Sequence, residues 1–137
     1  MFERKAVIGF GVLAIHLFLI ANFLPAFEQN QFQNLRKTNN CRKCDLSNAK
    51  LTTLDLSYAD LTSANLSGAD LSNGTLYGAN LSKTNLTGTN LTGANLYDAD
   101  LTGATVSKTI FTNANLYNAV WVNGKRCKIG STGQCKQ

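Results

Sequence analysis

Four cysteines are the residues of this 137-residue chain that offer the most chemistry. They form two closely spaced pairs, Cys41 with Cys44 and Cys127 with Cys135. Cysteines at such spacings can form disulfides, bind zinc as thiolates or, in a Cys-x-x-Cys motif, exchange electrons with other thiols. The two cations between Cys41 and Cys44 would favour a reactive thiolate. Which of these sites forms depends on where the fold places the two pairs.

Histidine and paired carboxylates are the other candidates for chemistry. The only histidine, His16, lies in an apolar segment near the N-terminus, so the rest of the sequence has none to act as a catalytic base or metal ligand. Asp60 and Asp100 could act as an acid and base pair only if they met in one cleft. We predict that the protein is not an enzyme and has no catalytic, metal-binding or cofactor-binding residues.

The N-terminal segment predicts export. Residues 6–27 are uncharged and mostly apolar, Arg4 and Lys5 precede them, and Glu28 follows. A membrane-spanning helix needs about 20 residues, so this stretch suits either a signal peptide cleaved after Ala26 or a retained anchor that crosses the membrane at 6–27. A buried core helix is disfavoured because every face of the stretch is apolar. Since positive residues stay on the cytoplasmic side, both alternatives place the rest of the chain in the periplasm, a thylakoid lumen or the exterior.

A five-residue repeat follows and must position every other residue. A large apolar residue stands at sixteen positions spaced by five, from Leu46 to Trp121, and thirteen of them are leucine. The residue two positions earlier is small in every unit except at Leu54. A period of five fits neither a helix nor a straight strand, so the chain must turn within each unit. If it closes after four units, each coil of twenty residues points its leucines inward and stacks at about 4.8 Å. Sixteen units then make about four coils.

The units resemble the pentapeptide-repeat family, whose motif reads Ala-(Asp/Asn)-Leu-x-x. Units 59–63, 64–68 and 94–98 read Ala-Asp-Leu-Thr-Ser, Ala-Asn-Leu-Ser-Gly and Ala-Asn-Leu-Tyr-Asp. This resemblance implies an all-β fold, a right-handed quadrilateral β-helix. The two cysteine-bearing flanks are similar to those of exported bacterial members, especially cyanobacterial-type ones. We therefore expect a signal or anchor at 1–26, an N-terminal cap at 27–43, the β-helix at 44–121 and a C-terminal cap at 122–137.

This arrangement narrows the choices for the cysteines. The two pairs lie before the first coil and after the last, about 19 Å apart at ~4.8 Å per coil, whereas a disulfide needs Cα atoms within about 7 Å. We therefore predict bonds from Cys41 to Cys44 and from Cys127 to Cys135. The same distance argues against a single zinc site with four cysteine ligands. A redox role for Cys41 and Cys44 stays open, although the βαβ context of a thioredoxin motif is missing.

Function must then lie on the outward faces. Tyr77, Tyr97 and Tyr117 recur every twenty residues, which predicts an exposed stacked column on one corner of successive coils. Such a column either stabilises the stack or binds a partner or a sugar. Asp60 and Asp100 would lie two coils apart on a convex ridge without a cleft. Short polar residues at such corners ordinarily bond to nearby backbone.

Two functions from different classes follow. The first is a non-enzymatic exported structural or interaction module with a protein partner outside the cytoplasm. The second, implied by the family resemblance, is a DNA-mimicking rod that binds gyrase. The formal charge of +5 divides into four parts: +1 over 1–26, +3 over 27–44, −3 over 45–121 and +4 over 122–137. Six acids against three bases are few for DNA mimicry, and the rod offers no basic groove for nucleic acid. The basic ends predict contact with an anionic membrane or end-to-end self-association, in which a basic end contacts the acidic coils of another copy head to tail.

Overall fold

The computed structural model describes residues 26–137. The predicted signal or anchor at 1–26, including His16, lies outside the described residues except for Ala26, as does nearly all of the predicted span at 6–27. Within 26–137, no helix combines the length and the apolar character needed to cross a membrane.

The repeat forms a four-sided coil. Residues twenty apart pair through single parallel bridges, from Asn40 with Asp60 up to Asp100 with Val120. Each five-residue unit provides one side, and each side has one bridging residue flanked by turns, so the described chain has isolated bridges rather than long strands. We number the sides by their inward residues: side 1 holds Leu46, Leu66, Leu86 and Val106; side 2 holds Leu51, Leu71, Leu91 and Phe111; side 3 holds Leu56, Leu76, Leu96 and Leu116; side 4 holds Leu61, Leu81, Leu101 and Trp121.

Every backbone amide of a typical unit has a partner, as residues 65–69 show. The Asn65 N–H donates to the coil before, at Cys44 (2.8 Å), whereas the Leu66 and Gly68 N–H groups donate to the coil after (both 2.9 Å). The Ala69 N–H closes the turn on the Leu66 carbonyl at 3.0 Å. The remaining amide, that of Ser67, donates to the side-chain oxygen of Asn65 at 3.2 Å. This complete pairing lets short sides stack without regular strands.

The corners require left-handed backbone. The second residue after each inward side chain from Leu46 to Leu116 has a positive φ, for example 68° at Gly68 and 58° at Thr53. This is the conformation that a type II turn demands at its third residue, and it is strained for residues other than glycine. The hydrogen bonds that these residues donate to the next coil hold them there, as at Thr53, which donates to Ser72 at 3.1 Å.

Leucine and alanine fill the axis. The inward leucines of the middle coils and the alanines beside them are fully buried. Thr84 and Thr89 take the small position in two units and are also buried. Their hydroxyls donate to the carbonyls of Leu81 and Leu66, each at 2.7 Å, so the small slot accepts a threonine whose polar atom is paired.

Each end of the coil has its own cap. At the start, helix α1 (Ala26–Thr38) buries Leu35, and the side-chain carbonyl of Gln31 accepts the Asp45 amide at 2.6 Å. Leu54, the large residue in a small slot, lines a depression together with Leu35. At the other end the chain reverses after Trp121 and runs antiparallel to the last coil. The all-β expectation thus holds for the coil, whereas the N-terminal cap contains a helix that the repeat pattern does not predict.

Candidate interaction surface: the tyrosine column

Four tyrosines lie one above another on the corner between sides 3 and 4. The structure brings Tyr77, Tyr97 and Tyr117 together as their spacing predicts and adds Tyr58 below them. Ring centroids are 5.2 Å apart from Tyr58 to Tyr77 and 5.4 Å apart at each of the next two steps. We call this set the tyrosine column. It runs through all the coils of the rod.

The twenty-residue spacing does not predict Tyr58 as part of the column, because Tyr58 lies one position later in its unit than the other three tyrosines. Its ring lies over Gly78 of the next coil, where a Cβ atom would come within 2.8 Å of the ring. A glycine twenty residues after an aromatic corner residue is the signal that could have revealed it.

The column is not a uniform stack. Only Tyr77 and Tyr97 are parallel, at 7°, whereas the Tyr58–Tyr77 and Tyr97–Tyr117 pairs meet edge to face at 84° and 75°. Edge-to-face contact places the positive edge of one ring against the negative face of the next, which aromatic pairs favour. The outer rings are the accessible ones: Tyr58 is 68% exposed and Tyr117 is 38% exposed, and the inner two are half-buried.

Polar groups flank the rings. Asp98 lies at the same corner, accepts a hydrogen bond from Asn118 and faces Arg126 at 3.9 Å. The pKa of the Tyr77 phenol lies above its usual value, first because of hydrogen bonding with the Tyr58 hydroxyl and then because of the charge of neighbouring groups. Tyr77 therefore keeps its proton at physiological pH.

The column ends at the C-terminal cap in a shallow depression. The side chain of Ile129 is 79% exposed there, beside two cations. The lining residues are Tyr117, Asn118, Arg126, Cys127, Lys128 and Ile129. One end of the column is therefore both apolar and positively charged.

The two aspartates considered as an acid and base pair, Asp60 and Asp100, each form hydrogen bonds within their own corner of the coil. Asp60 accepts hydrogen bonds from the Thr62 amide (3.1 Å) and hydroxyl (2.6 Å) and pairs with Arg42 at 3.0 Å. Asp100 accepts the Thr102 amide at 2.8 Å. Both carboxylates thus close their own corners instead of sharing a cleft. Within residues 26–137, no cluster of histidine, cysteine, aspartate or glutamate is arranged to hold a metal ion.

The cysteines form the two bonds that the coil geometry favours. Cys41 is bonded to Cys44 and Cys127 to Cys135, with Cα atoms 5.3 Å and 5.1 Å apart. The sulfur-bearing side chains of Cys41 and Cys127 are buried against the core. The oxidation state of these cysteines in the cell stays a prediction.

The four-sided coil and its leucine axis define the class of protein. A coil of four sides that stacks every twenty residues around a leucine axis is a β-solenoid with an outward aromatic column. The family model described as Pentapeptide repeats matches the chain in eight copies, over residues 40–78, 76–113 and 94–120. Because these matches cover more than half of the sequence, the protein belongs to the pentapeptide-repeat family, whose members fold into right-handed quadrilateral β-helices.

Solved structures of this family resemble the chain. Rfr23, a pentapeptide repeat protein from the cyanobacterium Cyanothece 51142, is 27% identical over 66% of this chain and 88% of its own, with a TM-score of 0.50. The protein alr5209 from Nostoc PCC 7120 is 26% identical over 67% of this chain and 73% of its own, with a TM-score of 0.44. QnrB1, a plasmid-mediated fluoroquinolone resistance protein, is 21% identical over 58% of this chain and 54% of its own, with a TM-score of 0.21. A search by sequence found no match among curated proteins. The first likeness agrees with the fold, and the other two scores are too low to support a conclusion.

Proposed function

We propose that the protein is a non-enzymatic interaction module, held outside the cytoplasm, that docks a protein partner on the tyrosine column. One observation carries the proposal: four tyrosines form a continuous ladder along one corner of a rigid rod. Tyrosine is enriched at protein interfaces because it offers a large apolar surface and a hydroxyl at little cost in conformational entropy. The corresponding corner between sides 2 and 3 carries only serine, threonine, asparagine and glycine.

The non-cytoplasmic location is part of the proposal. It is supported by the apolar stretch at 6–27 and by four cysteines in two bonded pairs, since disulfides persist mainly in oxidising compartments. Export with a cleaved signal and retention on a membrane anchor both remain compatible with an exposed rod. A DNA-mimicking, gyrase-binding role is disfavoured, because DNA mimicry needs a strongly acidic surface. The candidate binding surface is aromatic, and the rod has only six acids from residue 45 to 121.

The test is affinity capture on the tyrosine column. Full-length protein with the four tyrosines replaced by serine should lose a partner that the wild type retains. Its far-ultraviolet circular dichroism spectrum should stay close to that of the wild type, and its unfolding midpoint should fall because three aromatic contacts are lost. Serine is already the residue at several equivalent corners, for example Ser67 and Ser72, so the fold should tolerate the change.

A matched control carries threonine-to-serine changes on the opposite edge of side 3. It should retain the partner in full. Equal capture by the column variant and the wild type would reject the proposed docking surface. The control positions are Thr52, Thr92 and Thr112.

A further inference from the structure

The C-terminal cap covers only half of the last coil. On side 3 the Leu116 amide donates to the Ser131 carbonyl at 2.8 Å, and on side 4 the Trp121 amide donates to the Lys125 carbonyl at 2.8 Å. The Ala114 carbonyl likewise accepts the Gly133 amide at 2.9 Å. On these two sides the cap therefore takes the place of a following coil.

The cap makes no such hydrogen bonds to the amides of sides 1 and 2, although Gly133 lies against the backbone of Phe111 and Asn113 at the end of side 2. One coil below, the Leu86 and Leu91 amides donate to Thr105 and Ile110, both at 2.8 Å. Their counterparts in the last coil, the amides of Val106 and Phe111, have no hydrogen-bond partner among the described residues, and the same is true of the turn amides of Lys108 and Asn113. We call residues 104–113 the open edge. It presents a row of free backbone groups of the kind that pairs with an added strand.

The open edge also exposes apolar side chains. Val106 and Phe111 fill the axis there but are only partly buried, whereas Leu86 and Leu91 beneath them are fully buried. Ile110 is 48% exposed at a bridging position. The axis thus ends in an apolar surface that a further strand would cover.

The charge around the open edge indicates what could bind. Lys108 lies on its corner. The cap over the other two sides carries four cations and no acid, and two of these cations, Arg126 and Lys128, lie at the end of the tyrosine column. No acidic residue belongs to side 1 or side 2 in the last two coils. The other end of the rod is also basic, at +3 over 27–44. Two copies that met end to end in either orientation would bring like charges together, which opposes a second copy as the occupant.

We propose that the open edge binds an extended acidic segment of another protein by β-strand addition, as half of a fifth coil. Main-chain hydrogen bonds to residues 104–113 would supply the affinity, and an inward apolar residue would cover Val106 or Phe111. Outward carboxylates of the segment would meet Lys108. This surface lies on sides 1 and 2, away from the tyrosine column, so either binding site can fail without the other.

The probe is a blocked peptide that copies the unit pair of the same two sides. Its sequence is Ala-Asp-Leu-Ser-Gly-Ala-Asp-Leu-Ser-Asn, which is residues 64–73 with aspartate at the position of Asn65. A control peptide carries lysine in place of both aspartates. Amide exchange is followed by NMR on full-length ¹⁵N-labelled protein in mild detergent. The acidic peptide should slow exchange at Val106, Lys108, Phe111 and Asn113 and leave Leu86 unchanged.

Charge-reversal variants complete the test. Lys108→Glu should weaken binding of the acidic peptide roughly threefold to tenfold, since exposed charge pairs contribute modestly. Lys50→Glu, the same change on side 2 of the first coil, should have no effect. The proposal is overturned if the open-edge amides are already protected in dilute free protein, if they become protected as protein concentration alone rises, if the acidic peptide protects none of them, or if the lysine peptide binds equally well.

Discussion

At the scale of single residues, the outward Asp or Asn before each inward side chain closes the corner. Asp60 and Asn65 each accept the amide two residues later, at 3.1 Å and 3.2 Å. Because both residue types make the same hydrogen bond, the repeat tolerates their exchange from unit to unit. They differ in one physical respect, since only the aspartates can be protonated by acid.

This difference predicts how stability depends on pH. Hydrogen bonds from the hydroxyl and amide two residues later, the hydroxyl being the larger cause, hold the pKa values of four aspartates below the usual range. A carboxylate whose pKa is lower in the folded state stabilises the fold above its unfolded pKa of about 3.9, and this contribution is lost as the pH falls through the folded pKa. The free energy of unfolding should therefore decrease when the pH is lowered below about 4. The four are Asp45, Asp55, Asp60 and Asp70.

Changing all four to asparagine should flatten this acid response, because an amide oxygen accepts the same hydrogen bonds but does not titrate. Urea unfolding at neutral pH and at about pH 3 measures the effect. Wild type and variant should be similar at neutral pH and diverge in acid. An equally steep acid loss in the variant would show that other groups cause it.

At the scale of elements, the turn is what the sequence predicts best. A period of five with alternating small and large inward residues predicts a turn in every unit, because the turn depends on contacts that recur in every unit. The four sides of each coil, and with them the number of coils, are implied by the family resemblance. The caps do not recur. Helix α1 is held by single contacts, such as that of Gln31 with Asp45, and the five-residue repeat does not predict them. The half-covered end likewise depends on the path of residues 122–137, so neither it nor the offset position of Tyr58 follows from the spacing.

Gly78 and Gly88 provide a matched test of the corners. Both have positive φ, 61° and 68°, but a Cβ at Gly78 would clash with the Tyr58 ring whereas one at Gly88 meets nothing within 4 Å. Gly88→Ala should therefore show only the backbone cost, about 1 kcal/mol in the free energy of unfolding. Gly78→Ala should cost more and change the near-ultraviolet circular dichroism of the tyrosines.

A third variant separates the two causes. In a Tyr58→Ser background, Gly78→Ala should cost no more than Gly88→Ala, because the ring that it would strike is gone. Urea unfolding of the single and double variants gives this comparison. Equal costs of the two glycine changes in the wild-type background would mean that the Tyr58 ring moves freely and does not rest on Gly78.

At the scale of the whole molecule, stability should be distributed along one dimension. Each coil contacts only its neighbours, so the ends are where a solenoid unravels and where caps matter most. Here a disulfide stands at each end. Cys41 and Cys44 close a short loop beside α1, and Cys127 and Cys135 close the cap over side 3. The two bonds are therefore expected to protect opposite ends of the rod.

Removing them separately tests this arrangement. Cys127→Ser with Cys135→Ser should lower the free energy of unfolding by about 2–3 kcal/mol, since it releases a short loop. Amide exchange should rise at Leu116 and Asn118, which donate to the cap, and stay unchanged at Leu46 and Asn48 in the first coil.

The matched variant, Cys41→Ser with Cys44→Ser, should give the reverse pattern. Amide exchange should become faster in the first coil and stay unchanged at Leu116 and Asn118, which donate to the cap. Counting thiols on denatured protein recovered from its own compartment shows whether the two bonds form there, and four free thiols would contradict their role in stabilising the ends. If either double variant loosened both ends together, the rod would be one cooperative unit. If each bond instead protects only its own end, the open edge can bind and release a partner while the first coils and the tyrosine column stay folded.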